Sequence, residues 1–396
     1  MTDGTGITRM DLGSDYQDIR DGVRKVCEDY PLEYWREKDE IAEYPTEFVK
    51  AMTEAGYLGA LIPEEYGGAG LPIRAGSIIL EEIHANGSTA AACHAQMYIM
   101  GTVLRHGSEE QKQKYLPGIA DGTIRLQAFG VSEPTSGTDT TGLKTRAVRQ
   151  GDYYLVNGQK IWTSGAQHAN WMFALVRTDP DAPKHDGISF VLLPMDQPGV
   201  TVKPIKLISG SSPFCETFFD NAIASREDLI GELNKGWTVG KRLLQFERNT
   251  TGPARPKSAK KRLNPYASIA KQYLGEDNQG RIADSTLRDR VLSHVMTERA
   301  MGLTTRRVID ESKASGAPGA ATSIFKLVGS TLAKEGSQLK SELRGTAGLV
   351  WESNDFNPAE LESTRAWLRD RAVTIYGGTN EVQMNIIAKR VLGLPD

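Results

Sequence analysis

The sequence is short of several features that would place it quickly. Cysteine is scarce: Cys27, Cys93 and Cys215 are scattered, odd in number and without metal-type spacing. That excludes a disulfide framework and a cysteine-based metal site, and it reads as reduced thiols in a cytoplasm. No charge of one sign dominates, since 47 Lys and Arg face 50 Asp and Glu, for a formal charge of -3. A nucleic-acid binder would carry a basic excess, and a solvating tail would carry a block of acids. No apolar run approaches the roughly 20 residues that a membrane span needs. The opening stretch "MTDGTGITRMDLGSDYQDIR" has no apolar segment of signal-peptide type. The expectation is a cytoplasmic protein with no membrane span, no nucleic-acid partner and no metal.

What is present suits a large globular chain. Its 396 residues, 39% hydrophobic and 24% charged, can bury a sizeable core divided among two or three domains. Three textures follow one another. Apolar residues recur at helical spacing in "EYPTEFVKAMTEAGYLGALI", with Pro and Gly gathered in "PEEYGGAGLP". "HGSEEQKQKYLPGIADG" reads as a helix start with Ser108 as N-cap and acids in the first turn. The middle is strand-like. "GDYYLVNGQKIWTSG" holds two β-type runs about Asn157-Gly158, a tight hairpin signal, and "WMFALVRT", "GISFVLLPM" and "VTVKPIKLI" are further strands. Long amphipathic helices return in "KGWTVGKRLLQFERNT", "LRDRVLSHVMTERAMGLTTRRVIDESK" and "AATSIFKLVGSTLAKEGSQLKSEL". The fold class expected is α+β: an N-terminal helical domain (1–125), a central β-barrel-like domain (126–234) and a C-terminal helix bundle (235–396). The basic run "RPKSAKKR", Arg255 to Arg262, reads as a solvated loop or a contact for an anionic ligand.

This order of textures, with "PEEYGGAG", "GSEEQKQKYLPGIADG", "AFGVSEPTSGTDTTGLKT", "VNGQKIWTSGAQHANW", "LIGELNKGW" and "IYGGTNEVQMNIIAKRVLG" in sequence, resembles the acyl-CoA dehydrogenase family. The resemblance covers nearly the whole chain. It implies FAD as cofactor and an acyl-CoA as substrate, with loss of a proton from the carbon α to the thioester and of a hydride from the β-carbon. The loop "FGVSEPTSGTD" combines glycines, hydroxyls and backbone N–H groups that suit a ring and its phosphates. The resemblance assigns Phe129, Val131, Ser132 and Thr138 to the flavin, with Ser132 and Thr138 also along the thioester tail. By the same likeness Trp162 and Ser164 of "KIWTSG" cover one flavin face and reach towards its reactive nitrogen. Thr379 and Glu381 match late-loop positions beside the flavin. Outside the resemblance, a Gly-Thr turn and a core tryptophan are the plainer readings of these segments.

The family's chemistry needs a carboxylate base and a donor for the developing enolate oxygen. Many members carry that carboxylate directly after Ile-Tyr in the late loop, where this chain reads "IYGGTNEVQ" and places Gly377. Others, including isovaleryl-CoA-type enzymes, carry it on the first long helix after the β-domain, followed by Arg. Here "LLQFERNTTG" puts Glu247 at the matching position and Arg248 after it, beside the substrate. A Glu facing an apolar acyl pocket has its pKa raised towards working pH. Glu247 is therefore the expected base. Gly377 keeps a backbone N–H for the thioester oxygen, and its missing side chain implies room for a branched, cyclic or otherwise bulky acyl group.

Two family segments are altered here. The Arg-x-x-Phe-Gly stretch, which meets a neighbour's flavin pyrophosphate, is replaced within "RLNPYASIAKQYLGEDNQGRIAD". The Gln-x-x-Gly-Gly-x-Gly stretch is blurred into "ELRGTAGLVW". Some bacterial members with such losses are heterotetramers, including steroid side-chain enzymes, so both homotetramer and heterotetramer stand. An electron-transfer flavoprotein is the acceptor the resemblance implies. A flavin monooxygenase on the same fold, which needs no α-proton base, and a non-catalytic subunit of a heteromeric dehydrogenase are the alternatives. Glu247 argues against both.

Overall fold

The computed structural model describes residues 16–41, 43–241, 243, 264–315, 322–353 and 355–395. These form two compact units. One holds the described residues up to Ile205 and from Ser212 to 243. The other holds Lys206–Ser211 and the described residues from 264 onward. Glu247, Arg248 and the basic run from 255 to 262 lie outside the described residues.

Six helices open the first unit: α1 (Gln17–Glu28), α2 (Leu32–Glu40), α3 (Thr46–Glu54), α4 (Ile73–Ala85), α5 (Ala91–His106) and α6 (Glu109–Ala120). The first five bury Phe48, Met52, Ile79, Ile83 and Met97 in a shared core. Charge also ties α1 to α4, because the nearly buried Glu82 accepts from Arg24 at 2.9 Å and from Arg20 at 3.4 Å. The start of α6 follows from four residues. Ser108 accepts from the Gln111 N–H while the Gln111 side chain accepts from the Ser108 N–H, a reciprocal capping box. The N-cap read from the sequence is the one formed.

A single seven-stranded sheet follows, with β1 (Leu126–Gly130), β2 (Arg146–Gln150), β3 (Tyr153–Ser164), β4 (Trp171–Arg177), β5 (Ile188–Pro194), β6 (Val200–Ile205) and β7 (Phe214–Ser225). Its order is β1-β4-β2-β3-β7-β6, and β5 pairs with β4. The near-continuous apolar runs of β4 and β5 have a simple cause. Alternate side chains point to opposite faces of a strand, and here both faces are covered. Phe173 and Leu175 join a core with Tyr115, Leu116 and Ile119 of α6, while Met172, Ala174 and Val176 enter a second core with Val156, Cys215 and Ala222. All three cysteines are buried and unpaired.

The hairpin read at Asn157-Gly158 does not form. β3 runs straight through both residues and pairs along its length with β7; the turn between β2 and β3 falls at Gly151-Asp152 instead. Gly158 marks a shift of register with φ +147°, and a Cβ there would stand 2.7 Å from the Thr145 backbone. A glycine that permits close approach in a strand carries the same two letters as a hairpin turn. At the edge of β7, the Gln197 side chain imitates a strand residue: it accepts from the Ile223 N–H at 2.8 Å and donates to the Ile223 carbonyl at 3.0 Å.

A further helix, α7, opens at residue 236 and is described through 241 and at 243. The second unit is helical: α8 (Pro265–Leu274), α9 (Ser285–Ser315), α10 (Thr322–Leu343), α11 (Pro358–Arg369) and α12 (Asn380–Ile386). Asn264 caps α8 through the N–H groups of Tyr266 and Ala267, and Asn357 with Glu360 closes a capping box on α11. Tyr266, Ala270, Val291, Leu339 and Leu343 form its core. No helix among the described residues is long and apolar enough to cross a membrane. The expected class, helices before and after a β-region, is the class observed, and the barrel-like middle region is a curled sheet.

Candidate flavin and acyl-CoA site

In the first unit two segments that the sequence singled out lie side by side. The loop after β1 carries Val131 and Ser132, and the Ile161 N–H of β3 donates to the Ser132 carbonyl at 2.9 Å. The next residue, Trp162, is 52% exposed and holds φ 62°. An apolar side chain left in water on a left-handed backbone is costly twice over, by roughly 1 kcal/mol or more for the backbone alone. Such a cost persists where a ligand face needs the ring. Phe214 stands edge-on to it, centroids 6.1 Å apart.

The hydroxyls nearby are uncommitted. Ser132 is half-buried, Thr138 and Ser164 are exposed, and among the described residues none of the three side chains has a hydrogen-bond partner. An exposed indole with free hydroxyls is a donor set that suits a planar ring edged with hydrogen-bonding groups. The residues present therefore fit a flavin ring. Phe129 is placed differently: its side chain packs into the core, 6.0 Å from Phe190 between ring centroids, and Val131 packs against the same core. Both side chains are partly buried, so each keeps some surface beside the loop.

Beneath this loop lies a feature the sequence reading passed over. Lys160 is fully buried, and its Nζ meets Glu133 Oε1 at 2.8 Å. The Glu133 carboxylate also accepts from the Lys144 N–H at 2.6 Å and the Thr145 N–H at 2.9 Å. Burial pulls the Lys160 ammonium down to about 8, against the opposing pull of Glu133. Burial pushes Glu133 up, yet the Lys160 charge and the N–H donors outweigh it and leave the carboxyl below its ordinary value. With those donors in place the pair stays ionised at neutral pH. Removing one partner leaves a buried charge alone, at about 3–5 kcal/mol. The signal was present: Tyr154 and Val156 face inward on β3, and Lys160 follows at the same parity, where a cation demands a partner.

In the second unit the late loop leads into α12. Gly377 and Gly378 both hold left-handed backbones, φ 66° and 88°. Among the described residues the Gly377 N–H, on an exposed residue, has no acceptor. Lys326 of α10 anchors the loop: its Nζ donates to the Val373 carbonyl at 2.5 Å and stands 4.9 Å from the Tyr376 ring centre. Thr379 is the N-cap of α12 and accepts from the Val382 N–H at 3.2 Å, so its hydroxyl already has a structural task. Glu381 is exposed in the first turn, its carboxyl held below the usual range by its own backbone N–H and the Thr379 hydroxyl.

The order of helices, curled sheet and helices is an acyl-CoA dehydrogenase fold, and comparison with known proteins agrees. The family models for the acyl-CoA dehydrogenase N-terminal, middle and C-terminal domains match residues 13–123, 128–222 and 234–392. The chain belongs to the acyl-CoA dehydrogenase family of oxidoreductases, whose members are flavoproteins.

It is similar to the acyl-CoA dehydrogenase IpdE1 of Mycolicibacterium smegmatis, 33% identical over 344 residues and 84% of each chain. Among solved structures it resembles the Tcur3481-Tcur3483 steroid ACAD, with TM-score 0.80, 28% identity, and coverage of 96% of this chain and 97% of that one. It also resembles a chain of the ChsE4-ChsE5 complex from Mycobacterium tuberculosis, with TM-score 0.80, 28% identity, and coverage of 98% and 100%.

Proposed function

We propose that this chain binds FAD and dehydrogenates the α,β bond of an acyl-CoA with a bulky acyl group to give the 2-enoyl-CoA. The observation that carries the reading is Trp162, exposed and left-handed beside the Ser132 loop. Ser132, Thr138 and Ser164 supply hydroxyls to the ring, and the half-buried Phe129 and Val131 shape its floor. Bound flavin supplies the hydride acceptor. Glu247 takes the α-proton, and Arg248 beside it orients the substrate. The Gly377 N–H donates to the thioester oxygen, where negative charge develops as the proton leaves. Thr379 and Glu381 set the start of α12 at the late loop. The acceptor proposed for the reduced cofactor would be an electron-transfer flavoprotein, in a cytoplasmic setting of lipid catabolism.

The acyl group is assigned from two sides. Gly377 removes a side chain, and a similar solved protein is described as a steroid ACAD, so a steroid-derived thioester heads the substrate panel. Assembly follows the same neighbours, which are named as two-component proteins; a tetramer with a second kind of chain is proposed, with the homotetramer as the contrasting outcome. The test is anaerobic flavin reduction by an acyl-CoA panel. Glu247→Gln should bind flavin normally and reduce it slower by orders of magnitude; unchanged reduction removes Glu247 as the base. A straight-chain substrate preferred by a wide margin in kcat/KM removes the bulky acyl group. Mass measurement of the purified chain with and without a candidate partner separates the assemblies.

A further inference from the structure

We propose that the buried Lys160–Glu133 pair is a positioning device that locks the Val131–Ser132 loop against the Ile161–Trp162 segment in the shape a flavin ring requires. The inference rests on the flavin reading above. Lys160 occupies an inward position of β3 whose preceding inward neighbours, Tyr154 and Val156, are buried and apolar or aromatic. A methionine of similar length would fill that volume without desolvating a charge, so stability alone does not call for an ammonium there. What the ammonium does is geometric. Besides Glu133 it donates to the Val131 carbonyl at 3.4 Å. The Glu133 carboxylate in turn gathers the chain entering β2 through the N–H groups of Lys144 and Thr145.

Ser132 is thereby bracketed. Val131 before it and Glu133 after it are both tied to Lys160, and its own carbonyl is tied to Ile161, the residue after Lys160. Trp162 follows one residue later. One ion pair fixes both segments, and neither end can shift without stretching a buried charged hydrogen bond. The other charge bearing on the pair is Arg177, whose cation opposes that of Lys160 and is itself held by carbonyls at Thr141, Lys184 and Asp186.

The test uses the full chain freed of flavin, the Lys160→Met variant and the double variant Glu133→Gln/Lys160→Met. The double variant leaves no lone buried charge and carries the test if the single variant does not fold. Two quantities are read: the FAD dissociation constant from fluorescence quenching, and amide exchange of peptides spanning 131–133 and 160–163 in the flavin-free protein. The expected result is faster exchange in both segments and an FAD dissociation constant raised about tenfold or more, as for other supporting shells. A folded variant that melts earlier yet binds FAD within about twofold of the parent overturns the proposal and leaves the pair a purely structural one. If the parent binds no FAD either alone or assembled with its candidate partner chain, the flavin reading fails and takes this inference with it. That outcome is told apart because it appears before any substitution is made.

Discussion

The Ile161 N–H and the Ser132 carbonyl meet at 2.9 Å, joining segments 29 positions apart and bringing Trp162 beside the Ser132 hydroxyl's loop. Trp162→Gly separates the two costs of that indole. Relief of the left-handed backbone, roughly 1 kcal/mol, and the added chain entropy of glycine, roughly 0.5–1 kcal/mol, oppose each other. The melting temperature of the flavin-free protein should therefore barely move. FAD affinity should fall about tenfold, the weight of one aromatic stack. Equal affinity in a fluorescence titration would mean that the ring faces something other than flavin.

Gly377 offers a test from backbone geometry. With φ 66°, Gly377→Ala should cost about 1 kcal/mol in urea unfolding, although the nearest atom to an added Cβ is the Lys326 Nζ at 3.9 Å. Gly377→Glu adds a carboxylate beside that ammonium, which holds it ionised and weakens it as a base. It should narrow the range of acyl groups accepted, and it should not rescue Glu247→Gln. Recovered flavin reduction in that double variant would contradict the assignment of separate tasks to the two positions.

Ser108→Ala should lower stability by about 1 kcal/mol, because the Gln111 N–H loses its acceptor at the start of α6. Gln111 also donates to the Glu227 and Leu229 carbonyls at 2.6 and 2.8 Å, so the box steadies the chain after β7 as well. Chemical denaturation reads the loss; a change under about 0.3 kcal/mol would show that tertiary contacts hold the turn without its cap.

His94, on α5, carries a pH prediction. Burial, with a smaller push from His84, lowers it from 6.5 to about 4. Between those values the unfolded chain takes up a proton that the folded chain refuses. Stability is therefore whole above pH 6.5 and falls as pH drops towards 4, by up to about 3 kcal/mol. His94→Gln should flatten that part of the stability–pH curve. A curve that keeps its slope would assign the acid loss to other groups.

The legible parts of the chain were those decided locally. Ser108 and Gln111 sit three residues apart and cap a helix whatever surrounds them. The runs of β4 and β5 announce burial on both faces by their lack of alternation. Asn157-Gly158 shows where local reading stops: the same dipeptide that turns a hairpin serves as a relaxed spot within a long strand, and only Thr145 pressing on Gly158 tells which. Lys160 and Glu133 are 27 positions apart, and an ion pair across that span leaves no periodic trace. Trp162 was legible as a residue by family likeness, but not its exposure or its backbone. Glu247 and Arg248 were legible only through the likeness and lie outside the described residues.

Gln197 has a consequence for life in a crowded solution. By taking both backbone groups of Ile223 with one amide, it occupies hydrogen bonds that an intruding strand would need for its first rung. A seven-stranded sheet with an apolar interior is thus denied a sticky seam at that point by a single neutral side chain, and two chains meeting there find nothing to zip onto.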